Sequence, residues 1–228
     1  ALVNTELGIL YCKRGMFKEA REALRRAINR LTKNYTSPED GRAFYYLGLA
    51  HQFQGEYDAA YDAFYKATWS YPLHSAAYLQ LAQIDSIGGK FETALEHVNR
   101  SIATNIWNSR AWNLKSAVLR RLGEPDSAVE VALQTIAFDP LDFWAGYELY
   151  LAQSASRRSR QAKSALASLK TMTRGQVQSA LELAVDYGNC GLRDEAIDSL
   201  TTLTDAGKRK STVNPMAYYY LGYFWEKS

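Results

Sequence analysis

Cysteine, histidine, proline and a dominant charge are all scarce in this chain. Two cysteines in 228 residues cannot make a disulfide framework, and Cys12 and Cys190 stand at no metal-ligand spacing. They read as buried, reduced thiols, which favours a cytoplasmic setting. The three histidines, His51, His74 and His97, form no HxxxH or HxxE pattern, so no metal is expected. Lys and Arg number 27 against 24 Asp and Glu, a net charge of +3, too near balance for a typical nucleic-acid binder. No apolar run approaches the ~18 residues of a membrane span. The opening ALVNTELGILYCKRG has neither an initiator Met nor the layout of a signal peptide, and is read as a fragment or a processed start. Glycine-rich phosphate loops, GxSxG and paired Cys/His are missing as well. No catalytic residue and no cofactor is assigned.

What is present is self-similarity. Leu7-Gly8 is followed by Tyr11, Gly15, Phe17, Ala20, Leu24 and Ala27. Leu47-Gly48 is followed by His51, Gly55, Tyr57, Ala60, Phe64, Ala67 and Pro72. The frame returns at Leu81-Ala82 with Gly89, Phe91, Ala94 and Val98, then at Trp112 with Ser116, Gly123, Ala128 and Pro140. It returns again at Leu183-Ala184 with Tyr187, Gly191 and Ala196, and opens once more at Leu221-Gly222. Within each pass, apolar and small residues share helical faces three and four residues apart. Small residues let two antiparallel helices approach, and the recurring glycine fits the left-handed residue that closes a helix. Pro72 and Pro140 mark where second helices stop. One hairpin cannot bury its own apolar face, so neighbours must stack.

The expected fold is all-α, a right-handed superhelical solenoid of antiparallel helix hairpins in one domain. Its units run over about 1–34, 41–74, 75–108, 109–142, a degenerate pair at 143–174, 177–210, and a first helix of a further unit at 215–228. In the degenerate pair, Phe143, Tyr147 and Leu151 are expected to pack one helix, and Ala162, Leu166 and Leu169 the other. Ser37-Pro38-Glu39-Asp40-Gly41 is turn chemistry in an insertion. Arg157, Arg158, Arg160 and Lys163 read as a solvated loop in preference to a basic patch for an acidic partner. Lys208, Arg209 and Lys210 mark a polar joint.

These passes resemble the tetratricopeptide repeat over most of the chain. The resemblance implies a concave surface lined by the first helix of each unit, holding a peptide or partner domain. Carried over by slot, the groove candidates are Arg42, Tyr45, Tyr46, Gln80, Gln83, Asp85, Arg110, Asn113, Arg120 and Arg121. The slots that clamp a terminal carboxylate in chaperone-binding relatives hold Thr5, Ile9, Tyr46, Ala76 and Gln80 here, which argues against that clamp. Asp85 occupies a slot expected to be apolar, so a hydrogen-bond partner or an opening should accompany it.

Sixteen tyrosines and five tryptophans suit an interface. Tyr45, Tyr46, Tyr65, Trp69, Tyr71 and Tyr78 cluster in sequence. The runs YDAFYKATWS, NLKSAVLRRLG and MAYYYLGYFWEK are similar to the repeat region of large bacterial proteins with an N-terminal β-rich domain associated with carbohydrate metabolism. The leading expectation is a non-catalytic interaction scaffold whose partner is a protein, a peptide or a domain of the same chain. The alternative is an accessory helical region of a carbohydrate-active enzyme. A nucleic-acid module would need Arg110, Arg120, Arg121 and the Arg157 cluster on one surface, and is not preferred.

Overall fold

The structure, a computed structural model, describes residues 1–33, 40–204 and 215–226. Among these residues it contains helices and no strand. In order they are α1 Leu2–Lys13, α2 Phe17–Leu31, α3 Arg42–Gln52, α4 Tyr57–Ala67, α5 His74–Ile87, α6 Phe91–Thr104 and α7 Ser109–Arg121. Then come α8 Pro125–Phe138, α9 Phe143–Ala155, α10 Ser159–Thr173, α11 Val177–Asn189, α12 Arg193–Leu203 and α13 Pro215–Glu226. A short 3₁₀ turn at Tyr71–Leu73, holding Pro72, leads into α5. None of the described helices is long and apolar enough to cross a membrane. Ser37, Pro38 and Glu39 of the insertion, and Lys208, Arg209 and Lys210 of the later joint, lie outside the described residues.

The chain divides into two compact units, Ala1–Ile84 with Glu96–Ile106, and Asp85–Leu95 with Trp107–Ser228. In the first unit, α1 packs on α2, α3 on α4, and α3 also on α2 and α1. The sequence explains how closely they pack. A Cβ added to Gly8 would stand 2.4 Å from Leu24 Cγ, and one on Gly48 would stand 2.7 Å from the Phe64 ring. Glycine is therefore the residue that lets these helices meet. Ala20, Leu24 and Ala27 of α2 and Ala43 and Ala50 of α3 share one buried cluster. The α1–α2 turn depends on Gly15 at φ 71, from which the Gly15 and Met16 N–H groups cap the Cys12 and Tyr11 carbonyls at 3.0 and 2.9 Å. The α3–α4 turn repeats this at Gly55, φ 76.

Neither described cysteine is in a disulfide. Cys190 is buried as expected, but Cys12 is only half-buried, with its Sγ 3.6 Å from the Tyr46 carbonyl. Burial pushes the Cys12 thiol up to about 11.

In the second unit, α9 is the hub, packing on α7, α8, α10 and α11, while α11, α12 and α13 pack together. This crowding changes the expected face of α9. Phe143 and Leu151 are half-buried, whereas Trp144, Ala145, Tyr147, Glu148 and Ala152 form the buried set. A helix contacted on several sides buries more than one stripe. The stretch read as a loop ends sooner than expected, because α10 begins at Ser159 and takes in Arg160 and Lys163. The turn after α11 is also anchored: Ser86 Oγ donates to the Cys190 carbonyl at 2.7 Å, and a Cβ on Gly191 would lie 2.7 Å from Ile87 Cα.

Candidate functional site

The groove candidates of the first unit sit on α3 and α5. Arg42 is held by its own neighbourhood, its guanidinium 2.8 Å from Asp40 Oδ2 and 2.7 Å from Glu6 Oε1. The Arg42 hydrogen bond is the main reason the Asp40 carboxyl lies below its ordinary range. Tyr45 meets the Phe64 ring edge-on at 5.6 Å and packs on buried Tyr78, Leu81 and Ile84. Tyr46 packs instead on the cluster of Ala20, Leu24 and Ala27. The two adjacent tyrosines thus each seal a different part of the core. Gln80 and Gln83 are half-buried on α5. The aromatic cluster of the sequence separates: Tyr78 is buried and accepts from Arg100 at 3.0 Å, while Tyr65, Trp69 and Tyr71 are exposed.

In the second unit, Asp85 is buried at 4% exposure. Two polar groupings follow, built on the first helices of successive pairs, α7, α9 and α11, with Glu195 of α12 joining the second. The outer one contains Arg110, Asn113, Asp142 and Asp186. Asp142 caps α9 by accepting the Ala145 N–H at 2.9 Å, and its other oxygen accepts from Asn113 Nδ2 at 2.8 Å. That hydrogen bond fixes the Asn113 amide and leaves its buried Oδ1 without a partner. Asp186 has Arg110 as its nearest cation, at a loose 3.8 Å. Burial is the main cause that raises the Asp186 carboxyl above its usual range, outweighing the help from Arg110.

The inner grouping is a buried ionic network. Arg120 donates through Nε to Glu148 Oε2 at 3.1 Å and through Nη2 to Glu195 Oε1 at 2.9 Å. Tyr187 Oη donates to Glu148 Oε1 at 2.6 Å, and Arg121 Nη1 reaches Glu195 Oε1 at 3.4 Å. Two carboxylates against two guanidinium groups leave the cluster neutral, which makes its burial tolerable. Arg120 and Arg121 were expected as groove anchors. Arg120 is committed to internal carboxylates instead, whereas Arg121 leans on Glu195 at 3.4 Å with its side chain 38% exposed. Sequence reasoning missed Glu148, Tyr187, Glu195 and Asp186. The one available signal was that Glu148 and Tyr187 share helix faces with apolar neighbours.

A cavity of about 440 Å³ opens between α8, α9 and α10, with Asp142 of the outer grouping in its lining. Its floor is Gly146, Leu149 and Gln153 of α9, and its walls include Leu133, Ile136, Leu169 and Met172. The volume falls within the range of small-ligand pockets. Among the described residues, no group of His, Cys, Asp and Glu is arranged to hold a metal ion.

The comparisons with known proteins fit this architecture. Residues 1–68 match the tetratricopeptide repeat. Among solved structures, PilF of Pseudomonas aeruginosa superposes with a TM-score of 0.65 at 16% identity, over 99% of this chain and 96% of that one. The MamA protein of Desulfovibrio magneticus RS-1, from residue 41 onward, gives 0.66 at 18% identity, over 76% and 95%. YrrB, a TPR protein with an unusual peptide-binding site, gives 0.58 at 16% identity, over 87% and 97%. At such identities the likeness is one of fold: the chain is an all-α helical repeat, and the tetratricopeptide match itself spans residues 1–68.

Proposed function

We propose that this chain is a non-catalytic interaction scaffold that holds a peptide segment of a partner protein on the first-helix face formed by α7, α9 and α11. The observation that carries the reading is Asp186. Its side chain is 24% exposed, its carboxyl is raised by desolvation, and the guanidinium of Arg110 beside it stands at a loose 3.8 Å. A carboxylate so short of donors is completed by a ligand that brings N–H groups, as a peptide backbone or an amide side chain does. Exposed Arg110 beside it offers donors to a peptide carbonyl or carboxylate. YrrB, of the same fold, is described as having an unusual peptide-binding site. A partner protein, or a further domain of the same polypeptide such as the β-rich domain of the similar bacterial proteins, would use the same groups.

The test is to pan a random peptide display library against the full chain and to measure the enriched peptides on Asp186→Ala and Arg110→Ala. Affinity should fall on both variants without a loss of thermal stability. Enriched peptides indifferent to both substitutions would refute the assignment.

A second reading rests on Tyr65, Trp69 and Tyr71, which are exposed at 49%, 51% and 77% near the end of α4. Open aromatic rings of this kind stack on sugar faces, consistent with an accessory part of a carbohydrate-active protein. Glycan-array binding that disappears in Trp69→Ala is its signature, and an array with no signal eliminates it.

A further inference from the structure

The helix pairs close their turns with glycine at positive φ, as at Gly15, Gly55, Gly123 and Gly191. The turn between α9 and α10 does not. Arg157 takes that position at φ 58, with the usual closure behind it, since its N–H caps the Ser154 carbonyl at 3.1 Å and Arg158 N–H caps Gln153 at 2.8 Å. The helix then ends on Arg174 at φ 50. A Cβ is disfavoured in this backbone region, so both ends of α10 hold an arginine where glycine would sit without strain.

Between these ends lie Arg160, Lys163 and Lys170, and residues 157–174 contain no Asp or Glu. Arg160, Lys163, Lys170 and Arg174 stand at i, i+3, i+10 and i+14, which places them on one stripe roughly 20 Å long. All four are exposed. Among the described residues, only Arg158 of this segment has an ion pair, with Asp126 at 2.8 Å. Buried Ala162, Leu169 and Thr173 point α10 onto α9, and Gln161, Ser164, Ala165 and Ser168 line the cavity on another side. The cations keep the remaining, outward side. Helix α2 provides the contrast, because its Lys18, Arg21, Arg25, Arg26 and Arg30 are interleaved with Glu19 and Glu22, and Arg21 pairs with Glu56 at 2.7 Å.

We propose that α10 and its two arginine-held ends form a docking surface for an acidic peptide segment of a partner protein, separate from the first-helix face. Charge complementarity selects the occupant. A strand-like acidic segment of about six residues spans the stripe at ~3.3 Å per residue. A nucleic acid fits less well, because residues 157–174 carry no aromatic side chain on which a base could stack. Each exposed pair contributes little alone, so binding depends on several cations together and weakens steeply with salt.

The experiment titrates the full chain with a fluorescein-labelled oligoglutamate peptide and, separately, with labelled single-stranded DNA, at low and at physiological salt. The parent is compared with R160E/K163E/K170E, with the matched α2 reversal R25E/R26E/R30E, and with Arg157→Gly. The α10 reversal should weaken oligoglutamate binding by roughly tenfold or more, and the α2 reversal by no more than about twofold. Arg157→Gly keeps the backbone conformation and removes one cation, so it should weaken binding by about twofold in a chain that still folds. Equal loss from the α2 and α10 reversals would overturn the proposal by showing undirected charge attraction. Undetectable oligoglutamate binding, or tighter α10-dependent binding of DNA, would overturn it too. Because Asp186 and Arg110 are untouched, failure here leaves the first-helix reading standing.

Discussion

The phenol of Tyr187 stands 2.6 Å from Oε1 of Glu148, a carboxylate with no exposure to solvent. The hydrogen bond ties α11 to α9, and Arg120 ties α7 to the same carboxylate. Three first helices thus meet on one buried negative charge. The phenol is held in its protonated, donating form, because burial first and Glu148 second raise the Tyr187 pKa well above its ordinary value.

Removing the cation from this centre should be the most damaging polar change in the chain. Arg120→Ala leaves Glu148 and Glu195 buried without their main counter-charge, a situation that costs about 3–5 kcal/mol. Tyr187→Phe removes one charge-assisted hydrogen bond and should cost about 1.5–3 kcal/mol. Urea unfolding of the two variants and the parent measures both losses. A smaller loss in Arg120→Ala than in Tyr187→Phe would contradict the assigned geometry.

The repeat frame was legible because it rests on single-residue signatures. Gly8 and Gly48 announce close helix approach, Gly15 and Gly55 announce a left-handed turn, and the structure shows both pairs in those roles. The ionic centre was not legible, for a physical reason. Arg120, Glu148 and the pair Tyr187 and Glu195 come from three successive helix pairs, and a glutamate that faces α7 looks the same in sequence as one that faces water. The face of α9 was misjudged for a related reason: helical spacing finds one stripe, whereas packing on four neighbours buries a broader surface. The αL arginines escaped notice because their neighbours read as an ordinary polar link.

Asp186 gives a pH-dependent prediction. Its folded pKa is raised, so the native state holds the proton more tightly than the unfolded chain does. The resulting stabilisation is full below the ordinary Asp range and is lost as pH rises through the raised value. At neutral pH the ionised carboxylate is therefore a burden that Asp186→Asn relieves. The variant should unfold at higher temperature than the parent near neutrality, and the gap should close as pH falls toward the normal Asp pKa of about 3.9. A gap that widened on acidification would show that Arg110 outweighs burial at this site.

Two glycine-to-alanine changes should act in opposite directions. Gly48→Ala places a Cβ 2.7 Å from the Phe64 ring, which is fully buried and has no room to retreat. Overpacking of about 1–3 kcal/mol exceeds the gain in helix propensity of about 1 kcal/mol, so the net effect is a loss. Gly222 lies within α13 with nothing within 4 Å of a new Cβ, and Ala there should gain about 0.5–1 kcal/mol. Thermal unfolding separates the two, and a stabilised Gly48→Ala would mean that α3 and α4 are farther apart than described.

Arg157 tests whether the backbone or the charge decides the residue at the α9–α10 turn. Its φ of 58 is a left-handed conformation that costs a non-glycine residue about 1–2 kcal/mol. Glycine removes that cost but adds unfolded-state entropy, so Arg157→Gly should stabilise the chain by no more than about 1 kcal/mol. Arg157→Ala retains the Cβ and should gain nothing, which distinguishes relief of strain from loss of a repelling cation. The repulsion from Arg158 and Arg160 is screened by salt, whereas strain is not. A gain in Arg157→Gly that persists from low to high salt, with none in Arg157→Ala, identifies backbone strain as its source. If instead both variants gain equally and only at low salt, crowding of like charges is the cause, and the left-handed turn is not what sets this residue apart.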